Sequence, residues 1–115
     1  ISPRKGIKTA GGEVVVTTTT QDEEIKSFSK NVIEALRLKG PVSIQFIREE
    51  KDNSLWLMEV NPRLAGGVLA SIKAGFNICE MLIQDTLGYD IKPIEKGSII
   101  TMRRYFSEVF SEDSY

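Results

Sequence analysis

The clearest helical pattern in the chain follows a run of β-branched residues. Glu13 to Thr20 are almost all β-branched, and two glycines directly before them indicate a turn that leads into a strand. Thr20 and Glu23 have the spacing of a capping box, which predicts that a helix begins here. Apolar residues then recur at helical spacing until Gly40, namely Ile25, Phe28, Val32, Ala35 and Leu36.

The rest of the chain alternates between strand and helix patterns. The predicted elements are strands over residues 42–46 and 55–60, helices over residues 68–74 and 77–87, and a final strand from residue 97. Asn77 is the expected N-cap of the third helix, and Gly88 is expected to end it. We therefore predict an α+β fold in which the first strand, the hairpin and the last strand form an antiparallel sheet with the helices packed on one face.

Several large side chains in these elements are candidates for the core. Trp56 and Met58 alternate away from Glu59 along their strand and are assigned to packing. Tyr105 and Phe106 in the last strand are candidates for the core or for an interface, with the core favoured.

Length and composition restrict the class of protein. With 115 residues, 41% of them hydrophobic, the sequence predicts one domain over residues 1–115 with a compact core. A net charge of -1 provides no basic field that would attract nucleic acid or an anionic membrane. No apolar run approaches the roughly 20 residues that span a bilayer, and no signal-peptide pattern is present, so we expect a soluble protein. The single Cys79, for which a reduced thiol is expected, points to the cytoplasm. Ile1 is not a methionine, which indicates a fragment, a processed product or a trimmed chain.

The residue types also restrict the chemistry. Cys79 is the single cysteine, and its apolar neighbours predict a buried, reduced thiol. The chain has no histidine, which excludes a serine–histidine triad, a cysteine–histidine pair and a zinc site with nitrogen and sulfur ligands. Any metal ion must therefore be held by oxygen atoms.

The predicted hairpin provides such oxygen atoms in one particular register. If Glu49 faces Leu55 across the turn, antiparallel pairing places Gln45 opposite Glu59, with both side chains on the same face. Asn61 lies two residues beyond Glu59 and therefore on that side as well. One carboxylate and two amide oxygens suit a hard cation such as Mg²⁺, whose remaining positions are usually filled by water and phosphate oxygens.

The residues after Asn61 add features of a phosphate site. Arg63 is positioned to hold a phosphate group bidentately or to balance charge on a transferring phosphoryl group. Gly66 and Gly67 permit close approach of the backbone to a ligand, directly before a helix whose N-terminus favours an anion. Taken singly, Gln45 would be an ordinary strand amide and Glu59 a surface carboxylate. Arg63 would be a surface charge, and the two glycines would be a loop hinge. Their joint occurrence at one register favours a functional site.

Together these residues resemble the C-terminal part of the ATP-grasp ligases, in particular the members that are similar to the carbamoyl phosphate synthetase large subunit. The resemblance extends over residues 3–110, and its motif with the upstream glutamine is fairly specific. The segments that carry it are Ser43–Phe46, Met58–Arg63 and Gly66–Gly67.

The resemblance implies a role for each site residue. Gln45, Glu59 and Asn61 match the positions that coordinate the Mg²⁺ or Mn²⁺ ions bridging the phosphates of ATP. Arg63, the catalytic candidate, matches the position that contacts phosphate or the reacting carboxylate. The implied enzyme is an ATP-dependent ligase of the carboxylate–amine or a related type, which forms an acylphosphate that an amine or another nucleophile attacks.

The chain departs from the family pattern in two respects. The upstream, nucleotide-clamping part of an ATP-grasp enzyme has no counterpart in these residues, so the isolated chain is expected to be inactive and to act with that part of the same enzyme. Related sequences carry further arginines in the segment matching residues 4–12, where this chain has Gly6 and Ala10. Arg4 and Lys5 are the remaining candidates for anion contact there.

Three properties and one alternative function stay open at this level. The sequence does not identify the acceptor substrate, the nucleophile or any association into a homo-oligomer. The alternative function is a non-catalytic binding or assembly domain that keeps the ATP-grasp architecture. Nucleotide-clamping lysines in the sequence upstream would favour the enzyme, and an unrelated upstream domain would favour the alternative.

Overall fold

In a computed structural model of the chain, the fold is α+β with antiparallel strands, which confirms the predicted class. The structure describes residues 1–112, so the last three positions of the predicted domain over residues 1–115 lie outside the described residues. In chain order, the elements are β1 (Arg4–Ala10), β2 (Glu13–Thr19), α1 (Glu23–Ala35), β3 (Ser43–Arg48), β4 (Leu55–Asn61), α2 (Val68–Lys73), α3 (Ile78–Thr86) and β5 (Thr101–Arg103).

The strands form two sheets, whereas the sequence predicts one. β2 lies between β1 and β5 in a three-stranded sheet, and β3 and β4 form a separate two-stranded sheet. The sequence does not predict β1, because its lysines and glycine give no apolar alternation. It pairs with β2 through a tight turn at Gly11 and Gly12, whose φ angles of 57° and 80° lie in the left-handed region that favours glycine.

The first helix begins two residues later than its predicted cap. Asp22 is the N-cap of α1, and its carboxylate accepts a hydrogen bond of 3.0 Å from the backbone N–H of Ile25. The predicted capping box of Thr20 and Glu23 is therefore wrong. Asp22 lies within the same polar segment and offers a charged acceptor, which the orphan N–H groups of a first turn favour.

The start of α1 is attached to the β3–β4 hairpin by charge and by aromatic packing. Arg48 of β3 contacts the carboxylates of Asp22 at 3.2 Å and Glu24 at 2.7 Å. The rings of Phe28 and Phe46 meet edge to face with centroids 6.5 Å apart. One face of the hairpin is therefore turned towards α1, and the other is left open.

The two short helices follow the predicted pattern closely. α2 contacts β2 and β5, so it packs on the three-stranded sheet. Asn77 caps α3 as predicted, accepting a hydrogen bond of 3.3 Å from the N–H of Glu80. Gly88 follows the end of α3 with a φ of 76°. No described helix is long and apolar enough to cross a membrane, and α1 has only 13 residues.

The core is much smaller than the composition predicts. Among the described residues, the fully buried hydrophobic side chains are Ala70, Ala74 and Phe76. The radius of gyration is 16.9 Å, whereas a compact chain of this length is expected near about 13 Å. The hydrophobic content of the sequence therefore overestimates the apolar surface that these elements bury against one another.

Several core predictions are wrong for local reasons. Trp56 and Met58 are 63% and 61% exposed, because α1 covers only one face of the two-stranded sheet. Tyr105 and Phe106 are 88% and 90% exposed, because β5 ends at residue 103 and they lie beyond it. Cys79, in the first turn of α3, is exposed rather than buried.

Candidate functional site

The hairpin register at the predicted site is confirmed. Gln45 of β3 pairs with Glu59 of β4, as the sequence predicts. Near the turn the prediction is wrong, because Leu55 pairs with Arg48 and not with Glu49. An irregularity leaves Met58 without a partner, and this extra residue in β4 restores the predicted register at Glu59.

The paired side chains lie on the open face of the hairpin. Phe46 points towards α1, and neighbouring residues of a strand point to opposite faces, so Gln45 points away from the helix. Glu59 lies directly opposite Gln45, and residues in that relation have Cα atoms about 4.5 to 5.5 Å apart. Both side chains are exposed, whereas Asn61, two residues further along β4, is half-buried.

The structure adds Ser43 to the polar group formed by Gln45, Glu59 and Asn61. Ser43 pairs with Asn61 across the hairpin, so a hydroxyl lies beside the amide at the end of β4. The predicted register that pairs Gln45 with Glu59 also pairs Ser43 with Asn61, because no irregularity lies between the two pairs. Four oxygen-bearing side chains thus occupy two pairs on one face of the hairpin, with the pair of Ile44 and Val60 between them on the other face.

The polar group contains one carboxylate. In the described part of the chain, no cluster of three or more histidine, cysteine, aspartate or glutamate residues could hold a metal ion. A divalent cation at Gln45, Glu59 and Asn61 would therefore need further oxygens from water or from a phosphate ligand. Open depressions of about 580 Å³ and 420 Å³ lie elsewhere, and none of these three residues lines either of them.

Arg63 lies directly after the hairpin. Its backbone N–H donates to the carbonyl of Asn61 at 2.8 Å, which turns the chain immediately beyond β4. Its guanidinium is exposed and donates to the carbonyl of Leu64 at 3.2 Å. Arg63 therefore remains close to the end of the strand that carries Glu59, with most of its donors available to a ligand.

Gly66 and Gly67 lie against two further arginines. The carbonyl of Gly66 accepts a hydrogen bond from Arg104. A Cβ atom at Gly67 would lie 3.1 Å from Nη1 of Arg4, tighter than an ordinary contact. Gly67 has a φ of -87°, which any residue can adopt, so the close approach and not the backbone angle explains the glycine. α2, the helix expected to favour an anion, has only six residues.

Known proteins resemble this chain over most of its length. The family model described as ATP-grasp in the biosynthetic pathway with Ter operon matches residues 3–105. The chain belongs to this ATP-grasp family. The resemblance predicted from the hairpin motif is thereby confirmed, and the matched region contains every predicted site residue.

Curated relatives of this ATP-grasp chain include carbamoyl phosphate synthase large chains. That of Thermoanaerobacter pseudethanolicus is 30% identical over 95 residues, covering 78% of this chain and 9% of the relative. That of Clostridium botulinum is 30% identical over 105 residues, covering 87% and 10%. The arginine-specific large chain of Halalkalibacterium halodurans is 32% identical over 95 residues, covering 78% and 9%. The chain thus spans about a tenth of the length of the relatives it matches.

Proposed function

We propose that this ATP-grasp chain supplies the surface that binds metal ions and ATP phosphates in an ATP-dependent ligase, of the carboxylate–amine or a related type. In the proposed reaction, a carboxylate oxygen attacks the terminal phosphorus of ATP and ADP leaves. An amine or another nucleophile then attacks the carbonyl carbon of the acylphosphate, and phosphate leaves with the P–O bond intact. The observation that carries this proposal is the direct pairing of Gln45 with Glu59 on the open face of the hairpin.

The donor set supports the proposed ligand. Mg²⁺ and Mn²⁺ prefer oxygen, and Mg²⁺ is commonly held by one or two carboxylates together with substrate phosphates. Glu59 supplies the one carboxylate, and the amides of Gln45 and Asn61 supply neutral oxygens. A bound cation would neutralise phosphate charge, so the protein has mainly to position the reactants. The absence of histidine from the sequence is compatible with such chemistry.

Arg63 has the catalytic role in this proposal. Its guanidinium is exposed beside the end of β4 and makes one hydrogen bond within the described residues, to Leu64. The remaining N–H donors can hold an oxyanion bidentately and offset the charge that spreads over the transferring phosphoryl group. Gly66 and Gly67 would border the same ligand from the following loop.

The proposed partner is the upstream, nucleotide-clamping part of the same enzyme. Support comes from the small share of the relatives' length that this chain spans and from the apolar side chains left exposed on the open face of the hairpin, Ile47 and Trp56. Apolar surface of this extent on an uncovered sheet face is typical of a region that another part of a protein covers. We propose the cytoplasm as its location.

The proposal is tested by replacing Glu59, the one carboxylate among the proposed metal ligands. Glu59→Gln removes the charge and keeps the shape, so the affinity of the natural-length protein for Mn²⁺ with ATP should fall about tenfold or more, since even outer-shell partners of a metal contribute about 10- to 100-fold. Electron paramagnetic resonance of free Mn²⁺ measures this affinity. The matched control is Glu50→Gln, which makes the same change of charge in the exposed hairpin turn.

Three outcomes are distinguished. Equal affinities in the two variants and the parent protein would remove Glu59 from the proposed metal site. Tight binding of Mn²⁺ and ATP without ADP formation in the presence of a panel of carboxylates and ammonium would favour the non-catalytic binding domain. ADP formation that depends on one carboxylate, and that is lost in Glu59→Gln, is the result expected for the ligase.

A further inference from the structure

An open depression of about 580 Å³ lies at the end of the three-stranded sheet, next to the β1–β2 turn. Its size is within the range of about 300 to 1,000 Å³ that is usual for small-molecule sites. The side chains that determine its chemistry are those of Glu13, Val15, Arg103, Arg104, Tyr105 and Phe106. None of them belongs to the candidate metal site on the hairpin.

The depression lies beside the loop that follows β4. Arg104 lines the depression and also donates a hydrogen bond to the carbonyl of Gly66 in that loop. Val15 lines it from β2, on the same face of the sheet as Thr17. The methyl group of Thr17 would lie 3.7 Å from a Cβ atom at Gly67. A ligand in the depression would therefore lie next to the loop that begins directly after the proposed catalytic arginine.

The depression presents charges of both signs. Glu13 is exposed, and Arg104 contacts one of its carboxylate oxygens at 3.3 Å. The other oxygen of Glu13 has no partner in the described part of the chain. Arg103 is exposed as well and forms no ion pair within residues 1–112. One carboxylate oxygen and one guanidinium can therefore contact a ligand that carries both an ammonium and a carboxylate.

The apolar part of the depression is mostly aromatic. Tyr105 and Phe106 are 88% and 90% exposed, and Val15 is half-buried. Covering such rings with an apolar group of a ligand is favourable, because it removes their surface from water. Aromatic faces also attract a cation such as an ammonium group. An apolar lining with a few placed charges is the usual composition of a small-molecule site.

We propose that this depression binds an amino acid with an apolar side chain. Glu13 holds the ammonium group, and Arg103 holds the carboxylate. Tyr105 and Phe106 cover the apolar side chain. Arg104 is a positioning residue, because its contacts with Glu13 and with the loop after β4 fix the Glu13 carboxylate next to that loop.

The role of this amino acid rests on the proposed ligase function, in which it is the nucleophile. Its ammonium group first gives a proton to solvent, and the amine nitrogen attacks the carbonyl carbon of the acylphosphate. A C–N bond forms, the C–O bond to phosphate breaks, and phosphate leaves with a second proton from the nitrogen. The product is an amide. Binding of the amino acid follows from the depression itself and needs neither ATP nor a metal ion.

Binding is tested by isothermal titration calorimetry of the natural-length protein without ATP or metal ions. The probes are L-phenylalanine and L-leucine, together with phenylpropionate, which lacks the ammonium group, and phenylethylamine, which lacks the carboxylate. We expect saturable binding of at least one amino acid. Each analogue should bind about tenfold or more weakly than L-phenylalanine, because it lacks one charged contact. No saturable binding of either amino acid would overturn the proposal.

Two variants assign the two charged contacts. Glu13→Gln should weaken binding of the amino acid about tenfold or more and retain the affinity for phenylpropionate. Arg103→Gln should weaken binding of the amino acid to a similar extent and retain the affinity for phenylethylamine. The matched controls are Glu50→Gln and Arg37→Gln, which make the same changes of charge at exposed positions elsewhere. A merely structural effect would weaken the amino acid and its analogues equally, which contradicts the assignment.

The role as nucleophile is tested separately from the proposed ligase function. Glu59→Gln should retain the affinity for the amino acid, since the depression does not include the metal site. With ATP, Mg²⁺ and a panel of carboxylates, mass spectrometry should detect an amide that contains the amino acid. ADP formation that requires ammonium and ignores the amino acid contradicts the role as nucleophile and leaves the ligase intact. Binding of the amino acid by a protein with no affinity for Mn²⁺ and ATP supports the depression as a site and contradicts the ligase.

Discussion

At the scale of single residues, Asp22 connects two parts of the fold. Its Oδ1 caps the first turn of α1, and its Oδ2 contacts Arg48 of β3. The hairpin that carries Gln45 is therefore tied to the helix through the same carboxylate that begins the helix. The sequence shows a polar segment before the helix in which both Thr20 and Asp22 have side chains suited to an N-cap, and only the backbone geometry selects between them.

Removing this carboxylate should weaken the fold. Asp22→Ala leaves the N–H of Ile25 without its acceptor, so the free energy of unfolding should fall by about 1 to 2 kcal/mol, the usual range for loss of a charged N-cap. Urea denaturation followed by circular dichroism measures the change. The control is Glu34→Ala, an exposed position near the end of the same helix. A loss no larger than that of the control would show that Asp22 does not cap α1.

The turn of the hairpin contains a carboxyl group with a shifted pKa. Hydrogen bonds from the side chain and the backbone of Ser54 hold the pKa of Asp52 below its ordinary value of 3.8. A lowered pKa in the folded state means that the stabilisation is present above the unfolded pKa and is lost as the pH falls through the folded pKa. Because Asp52 is exposed, the effect on global stability is small.

A titration of the side-chain carboxyl by nuclear magnetic resonance tests this contact. The Asp52 pKa should lie below 3.8 in the parent protein and should rise towards that value in Ser54→Ala, since the variant loses the largest stabilising hydrogen bond. Ser107→Ala, in the exposed segment after β5, should leave the Asp52 pKa unchanged. An Asp52 pKa that is the same in both variants would contradict the contact.

At the scale of elements, the sequence predicts those strands and pairings that depend on the local alternation of apolar and polar residues. The alternation of residues 42–46 and 55–60 predicts both hairpin strands, and it predicts the pairing of Gln45 with Glu59. The irregularity at Met58 is not predictable from alternation. A bulge moves the residues between itself and the turn to the opposite face of the strand, and no residue type marks its position. For this reason Trp56 is misassigned to the core while the pairing at Glu59 is correct.

The packing of Gly97 against the segment after α2 provides a test at this scale. A Cβ atom at Gly97 would lie 2.3 Å from the ring of Phe76 and 2.5 Å from the carbonyl oxygen of Ala74. Gly97→Ala should therefore lower the free energy of unfolding by about 1 to 3 kcal/mol, as is usual for overpacking. Gly6→Ala is the control, since its Cβ would meet Val14 at an ordinary 3.6 Å. Equal stability of the two variants in urea would show that Gly97 does not pack as described.

At the scale of the whole molecule, amino-acid composition predicts less of the fold than the pattern of apolar and polar positions does. The fold class is predictable, because strand and helix patterns alternate clearly along the chain. The division into two sheets is not, because it depends on which distant strands meet, and β5 pairs with β2 over only three residues. The small core is not predictable either, since hydrophobic content does not specify which apolar faces the chain covers itself.

The contacts of distant arginines with Gly66 and Gly67 also belong to this scale. Arg4, Arg63 and Arg104 are separated by most of the chain, and no local motif links them. Of the three, only Arg63 lies in a recognisable motif. The contact of Arg104 with Gly66 comes from the three-stranded sheet, which the sequence does not predict as such.

The central claim is that Gln45, Glu59 and Asn61 hold a divalent cation together with ATP. The most direct test replaces Mg²⁺ with Fe²⁺ in the natural-length protein, in the presence of ATP, ascorbate and peroxide, and maps the resulting backbone cleavage by mass spectrometry. We predict ATP-dependent cleavage close to residues 43–47 and 59–63, which Glu59→Gln abolishes. Cleavage that is independent of ATP, or that is centred on the acidic hairpin turn at residues 49–52, would contradict the claim.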